Sequence, residues 1–485
     1  MEEIYQQSIR LRVLTPKSEN FDKWYVDVVL KAGLADYAPV RGCMVILPYG
    51  YALWENITKE LDRMIKETGH ENMYFPLFIP ESFLRNEQEH VEGFAPQVAW
   101  VTKGGDKDLE ERLAVRPTSE AIIGPIVRKY IRSYRDLPLL LNQWANVVRW
   151  ELRTRLFLRT MEFLWQEGHT FHATYQEAAE EAKRMLDVYN SLMRDYLAIH
   201  AIAGTKPSTE KFAGADYTLS LEAMMSDGLA LQACTSHNLG RNFTKAYGIE
   251  FTDQNNQRQN PFSTSWGLST RIIGAIIMVH GDNLGLVLPP KVAPVQVVII
   301  PIYKDEHAKS IVLEKVLKVE SALKSLFRVK VDLRDDVTPG YKFSEWDLKG
   351  VPLRIEIGPK DVAQDSVTLV RRVDRQKQQL PLMKLEQVIK SELDEVHNIM
   401  LSRSRKQLES SSCDVSTLDE LKHIFEKNNV FAYAGWCEHI ECEKSIKDTV
   451  KGISPRVFPF SLSEKVQACI VCGRPGRTVL LAKAY

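Results

Sequence analysis

Between Asn142 and His169 the chain sets arginine, glutamate and large aromatic residues at period two, and this alternation constrains its fold more than any other feature. Leu139 to Glu151 and Met161 to Glu167 read as two strands joined by an Arg-rich loop. Arg149 and Glu151 share a face of the first; Phe163, Trp165 and Glu167 share a face of the second, with His169 continuing the phase. Burying charge among aromatic rings costs folding free energy. A lone Arg-x-Glu would read as an ordinary cross-strand ion pair, but so long a constellation points to a ligand-binding face.

The flanks supply a frame for these strands. Apolar residues at 53, 57, 61, 64 and 65 mark a helix, followed by extended chain through Met73 to Ile79. Thr174 with Glu177 forms a capping box, and the apolar positions beyond it predict one amphipathic helix over about 174–199. Strands dispersed among helices from about 40 to 285 give an α+β pattern with a large antiparallel sheet. Pro289, Pro290 and Pro294 mark a boundary, after which the Val295–Ile302 strand and a helical stretch over 306–327 open an α/β unit. Ser410-Ser411-Ser412 is read as a second, loose joint.

Composition narrows the function classes. At 485 residues the chain is long enough for about three domains. Its 63 Lys plus Arg balance 63 Asp plus Glu, which excludes a polybasic nucleic-acid binder but not a local basic face. No apolar run reaches the about 20 residues of a membrane span, and the start Met1-Glu2-Glu3 lacks the features of a signal peptide. The expectation is an intracellular, cytoplasmic chain without a membrane partner. Cys437-x4-Cys442 and Cys469-x2-Cys472 have the spacing of a structural tetrathiolate zinc site, with His439 as an alternative ligand. Cys43, Cys234 and Cys413 are read as unpaired thiols.

The Asn142–His169 block resembles motif 2 of the class II aminoacyl-tRNA synthetases. The helix and strand ending near Pro76 resemble motif 1, and Trp266-Gly-Leu-Ser-Thr-Arg271 with the apolar run to Val279 resembles motif 3, with Gly281 as a helix C-cap. Arg116-Pro-Thr118-Ser-Glu120, Lys211-Phe212, Asp216-Tyr217, Thr235-Ser-His237, Thr338 to Phe343 and the cysteine module ending in tyrosine are similar to the prolyl-tRNA synthetase family, in the form found in archaea and eukaryotes. The motif 2 loop, Arg153-Thr-Arg-Leu156, departs from the Pro-containing segment common in that family.

The resemblance implies a class II catalytic domain over 1–290, an α/β anticodon-binding domain over 291–405 and a small zinc-binding α+β domain over 406–485. It implies ligation of proline to tRNA(Pro) through prolyl-adenylate, with ATP and Mg²⁺ in catalysis, structural Zn²⁺ on Cys437, Cys442, Cys469 and Cys472, and a homodimer formed through motif 1. Arg149 and Arg271 would be catalytic. Arg149, Glu151, Arg159, Thr160, Phe163, Gln232, Thr235 and Arg271 would bind ATP, and Thr118, Glu120, Arg149, Trp165, His169, Phe212 and His237 would bind proline. Arginines suit the chemistry, since carboxylate attack on an α-phosphorus requires two anions to be positioned and growing charge to be neutralised. Lys342, Glu345, Lys349, Arg354, Glu356 and Lys360 offer donors and acceptors for single-stranded bases, without assignment of individual contacts. Residues 170 to 265 leave 96 positions between motifs 2 and 3, all used by the elements above, so no editing domain is expected there. Two rivals remain. One is an inactive synthetase-like binding protein, against which Arg149, Arg159 and Arg271 all speak. The other is a threonine or serine enzyme; threonine selection in the related family uses catalytic zinc, for which 116–271 carries no ligand set.

Overall fold

A computed structural model describes residues 14–90, 97–463 and 465–485; the acidic start Met1–Glu3 lies outside them. Helix formation follows the apolar periodicity closely. In Pro48–Glu67, proline opens the first turn, and Leu53, Trp54, Ile57, Leu61 and Ile65 are buried along one face. In Tyr175–Asp195 the Thr174 hydroxyl accepts from the Glu177 N–H while the Glu177 side chain returns to the Thr174 backbone, an arrangement worth about 1 kcal/mol. This helix stops short of 199, because Ala198 takes a left-handed φ of 55°. It lies on the main sheet, where Ser236 Oγ donates to Ala182 O at 2.7 Å.

Among the described residues that sheet has 12 strands. Its centre is antiparallel, with Glu162–His172 between Leu139–Val148 and Phe262–Ser269, followed by Ala230–Gly240, Tyr217–Met224 and Ala201–Thr205. The large antiparallel sheet is present as expected, with parallel pairs at its edges: Glu71–Asn72 pairs parallel with Leu139–Val148, and Ser412–Val415 pairs parallel with Phe431–Trp436. Gly168 stands against Trp266, where a Cβ would meet the indole at 2.1 Å, so this contact needs glycine. The Arg271–His280 helix is buried from Ile272 to Met278 and capped by Gly281, whose N–H donates to Ile277 O at 2.9 Å.

A five-stranded sheet built on Val297–Pro301, with parallel and antiparallel neighbours, forms the next unit. Its first helix is Glu306–Leu323, shorter than expected. Arg372 fastens this unit to the catalytic part by donating to both Asp282 carboxylate oxygens at 2.7 and 2.6 Å. The expected loose joint at Ser410–Ser412 is instead tight. The Leu385–Ser410 helix passes within one residue to the Ser412–Val415 strand, with Ser412 Oγ donating to Leu408 O at 2.6 Å. Nor does the carboxy-terminal part have its own separate sheet. Ile453–Pro459 pairs with Ala201–Thr205 through Phe458 and Pro459, extending the catalytic sheet, and Gly204 admits the approach where a Cβ would meet Phe458 O at 2.4 Å.

Candidate active site

The central strands open onto a cavity of about 490 Å³. Arg149, one residue past the end of its strand, stands in the middle: its Nε donates to Pro117 O at 3.0 Å, and its guanidinium lies 5.5 Å from the Phe163 ring centre and 5.3 Å from that of Trp165. Solvent reaches this side chain through the cavity mouth. Surrounding protein atoms nevertheless desolvate it and lower its pKa, opposed by the charges of Glu120 and Glu167.

Around Arg149 the lining includes buried carboxylates and rings. The Thr118 hydroxyl donates to Glu120, which opens the Glu120–Val127 helix. Glu167 accepts from Ser119 Oγ, from Gln143 Nε2 at 2.7 Å, and pairs with His169 Nε2 at 3.1 Å. Burial alone would hold His169 neutral, but the bond to Glu167 and the charges of Glu120 and Glu167 outweigh it and raise its pKa. His237 behaves oppositely, held down at about 3 by burial first and then by Lys206 and Arg149. Its ring lies 4.7 Å from that of Phe212, and its Nδ1 is 2.9 Å from Thr218 Oγ1.

The lining also includes Glu151, Phe163, Gln232, Thr235 and Arg271. A register shift at Ala233 lets Gln232, Thr235 and His237 all line the cavity despite the odd spacing of the first two. Arg271 begins its helix, as expected, with Nε donating to Leu158 O at 3.0 Å. Burial first, then the nearby charges of Arg149 and Arg159, push its pKa down to about 10.

The cavity thus gathers every expected site residue except Arg159 and Thr160. Both lie in the turn between the strands, where period two no longer applies. Arg159 is 57% exposed and pairs with Glu151 at 2.7 Å, while the Thr160 hydroxyl donates to Glu162 O. In the same loop Arg155 pairs with Asp22 at 2.9 Å and lies over the rings of Tyr25 and Tyr485. Sequence reading missed Ser119 and Gln143 as partners of Glu167, and Lys206 and Glu210 as lining residues. Ser119 lay inside a matched motif, whereas Lys206 follows a short Ala/Gly-rich strand that carries no local signal.

The four cysteines of the carboxy-terminal module come together, all Sγ atoms within 4.8 Å of one another and Cys437 3.6 Å from both Cys442 and Cys472. Tetrahedral thiolates around zinc would be about 3.8 Å apart, so the set fits that ion. His439 points elsewhere, to Arg474 at 3.1 Å. Among the anticodon candidates, Arg354 pairs with Asp347 and Glu356, and Lys342 Nζ donates to Asp332 O, so both are already engaged within the unit.

The sheet, the Arg149 cavity and the helix begun by Arg271 define a class II aminoacyl-tRNA synthetase core, and the family model for the "tRNA synthetase class II core domain (G, H, P, S and T)" matches residues 100–280. Residues 296–392 match the "Anticodon binding domain", and 418–485 match "Prolyl-tRNA synthetase, C-terminal". The chain is 53% identical over 478 residues to "Proline--tRNA ligase" of Natranaerobius thermophilus, covering 98% of each, and 51% identical to that of Clostridium novyi, covering 98% of each. A crystal structure of prolyl-tRNA synthetase from Cryptosporidium parvum, complexed with halofuginone and AMPPNP, superposes with a TM-score of 0.93 at 41% identity, over 98% of this chain and all of that one. The chain belongs to the prolyl-tRNA synthetase family.

Proposed function

We infer that the cavity is where proline and ATP react, with Arg149 as the group that touches both. As a proline–tRNA ligase the chain joins proline to tRNA(Pro) in two steps. The proline carboxylate attacks the α-phosphorus of ATP, forming the adenylate and expelling pyrophosphate; the terminal ribose hydroxyl of the tRNA then attacks the acyl carbon and releases AMP. One observation carries the assignment: a single cavity is lined by Arg149 together with Glu120, Glu167, Trp165 and His237 and with Gln232, Thr235 and Arg271. Thr118 and Glu120 would accept the proline ammonium, and Trp165, His169, Phe212 and His237 would wall its ring. Phe163 would stack on adenine, and Arg271 would meet the phosphates with Arg159 turning in from the rim, where bidentate contacts suit phosphate oxygens. Thr160, whose hydroxyl donates to Glu162 O, keeps lone pairs with which it would accept from the nucleotide. Glu151 would hold the Mg²⁺ that the class uses with ATP, which would supply charge neutralisation on the phosphates.

Zinc held by Cys437, Cys442, Cys469 and Cys472 would be structural, since four thiolates leave no open position. Likeness to the Cryptosporidium chain from end to end supports the form found in archaea and eukaryotes, although the bacterial sequences above share that architecture. The matched segments also support units at 1–290, 291–405 and 406–485. Homodimer formation is supported by exposed Tyr37, Val45, Tyr51, Tyr74 and Phe78 on and around the motif 1 helix. No helix among the described residues is long and apolar enough to cross a membrane, and a cytoplasmic location is proposed from the family's role in translation. The deciding experiment is proline-dependent ATP–pyrophosphate exchange by Arg149→Ala and Arg271→Ala: both should lose exchange while remaining folded, and near-normal exchange by Arg149→Ala would remove it from the mechanism.

A further inference from the structure

The strand that extends the catalytic sheet into the carboxy-terminal module also carries a cation to the neighbourhood of the cavity. Phe458 pairs with Thr205, and the residue after Thr205 is Lys206, a lining residue. Two positions before Phe458, Arg456 donates from Nε and Nη2 to Glu222 Oε2 at 3.0 and 2.9 Å. Glu222 is fully buried and pairs across the sheet with Gln232, another lining residue. Its second oxygen accepts from Ser220 Oγ at 3.1 Å and faces Lys206 Nζ at 3.8 Å, beyond hydrogen-bond length. The adenylation steps above use neither Arg456 nor Glu222. Stability does not account for the pair either, because a buried ion pair adds little net stability over apolar residues of the same size.

A buried carboxylate cannot stand alone and draws in the nearest cations. Besides Arg456, the nearest is Lys206, whose ammonium stands 3.8 Å from Glu222; Arg271, which lines the same cavity, also feels its charge. We propose that Arg456 is a positioning residue for the nucleotide site: by satisfying Glu222 from the carboxy-terminal module, it leaves the Lys206 ammonium and the Arg271 guanidinium free for the triphosphate. This rests on the reading that Arg271 meets the ATP phosphates in the cavity. It also gives the module a role in catalysis, for Arg456 lies on the module's own strand, and Lys447 of the same module approaches Glu210, another lining residue, at 3.8 Å.

The test is pyrophosphate exchange by the full-length chain, with ATP and proline varied separately. Arg456→Met should raise the KM for ATP about tenfold or more and leave the KM for proline within about twofold, because freed Glu222 would capture phosphate-binding cations. Arg456→Lys, which keeps the charge but not the fork, should show a smaller rise. Adding Glu222→Gln to Arg456→Met should restore the KM for ATP, since no carboxylate is left to compete; a merely structural pair would not be rescued this way. An unchanged KM for ATP in Arg456→Met, a loss confined to the number of active sites, or failure of the double variant to recover would overturn the proposal. If Arg456→Met does not fold, Arg456→Lys with an unchanged KM for ATP overturns it in the same way. Arg271→Ala run alongside separates the two claims: an unchanged KM for ATP there defeats the nucleotide reading and the proposal with it, whereas a raised one with a silent Arg456→Met defeats the proposal alone.

Discussion

In the cavity, Arg149, Trp165, Gln232 and Arg271 come from three strands and the start of a helix spread over more than a hundred residues; in the carboxy-terminal module, four thiols come from two short segments, one of them running into the Ile440–Thr449 helix. Charges in the cavity have partners in or beside it, Glu167 with His169 and Glu151 with Arg159 on the adjoining turn. In the cysteine cluster four thiols lie within 4.8 Å of one another, and a cation bound there would tie its two segments together. Losing one group should therefore disable the cavity's chemistry and leave its fold, whereas at the cluster it should loosen the fold and mostly spare the chemistry.

Arg149→Ala would break this contrast most sharply. Removing one preorganised charge contact in the transition state should cost about 3–4 kcal/mol, a hundredfold to thousandfold loss of exchange, with the melting temperature of the purified variant close to that of the parent. Next in size, Cys472→Ser or zinc removal by chelator should lower the melting transition of the carboxy-terminal module and increase its proteolysis, while proline-dependent exchange at saturating ATP falls less than about tenfold. Elemental analysis should find one zinc per chain in protein purified without chelator. Equal losses of fold and chemistry in both variants would erase the distinction.

How far such sites can be read from sequence differs between the two regions for the same reason. Cysteine spacing within two short segments is local, and the structure brought those four residues together as that spacing implied. Phe163 and Trp165 were legible because their strand preserves period two; the first strand, expected to reach Glu151, ends at Val148, so Arg149 and Glu151 line the cavity from just beyond it. Arg159 and Thr160 fell outside the cavity wall where that period breaks in the turn. Gln232 and Thr235 share the wall only through the register shift at Ala233, and Lys206 reaches it only through strand pairing. Neither effect has a local signature. The Ile453–Pro459 strand, expected in a separate domain, joins the catalytic sheet because edge strands seek partners wherever the chain brings them close.

Smaller effects should sharpen the picture within the cavity. Trp165→Ala removes a proline wall and a ring beneath Arg149, and should raise the KM for proline by about 1–2 kcal/mol, roughly tenfold, with a smaller change in the KM for ATP. His169→Gln should act on stability through pH. Because the folded pKa of His169 is raised above 6.5, its pairing contributes fully below that value and is lost as pH rises through the folded value. The melting-temperature gap between parent and variant should thus be widest near about pH 6 and shrink toward about pH 9; a gap that widens with pH would contradict the pairing.

The most direct test of the whole account is ATP–pyrophosphate exchange measured with each of the twenty amino acids in turn. Proline should support it best. Alanine, lacking two methylenes each worth about 1–3 kcal/mol, should follow at about hundredfold to ten-thousandfold lower efficiency, and the rest should fall near background. Exchange driven as well or better by any other amino acid, or by none, would contradict the reading of the cavity as a proline site.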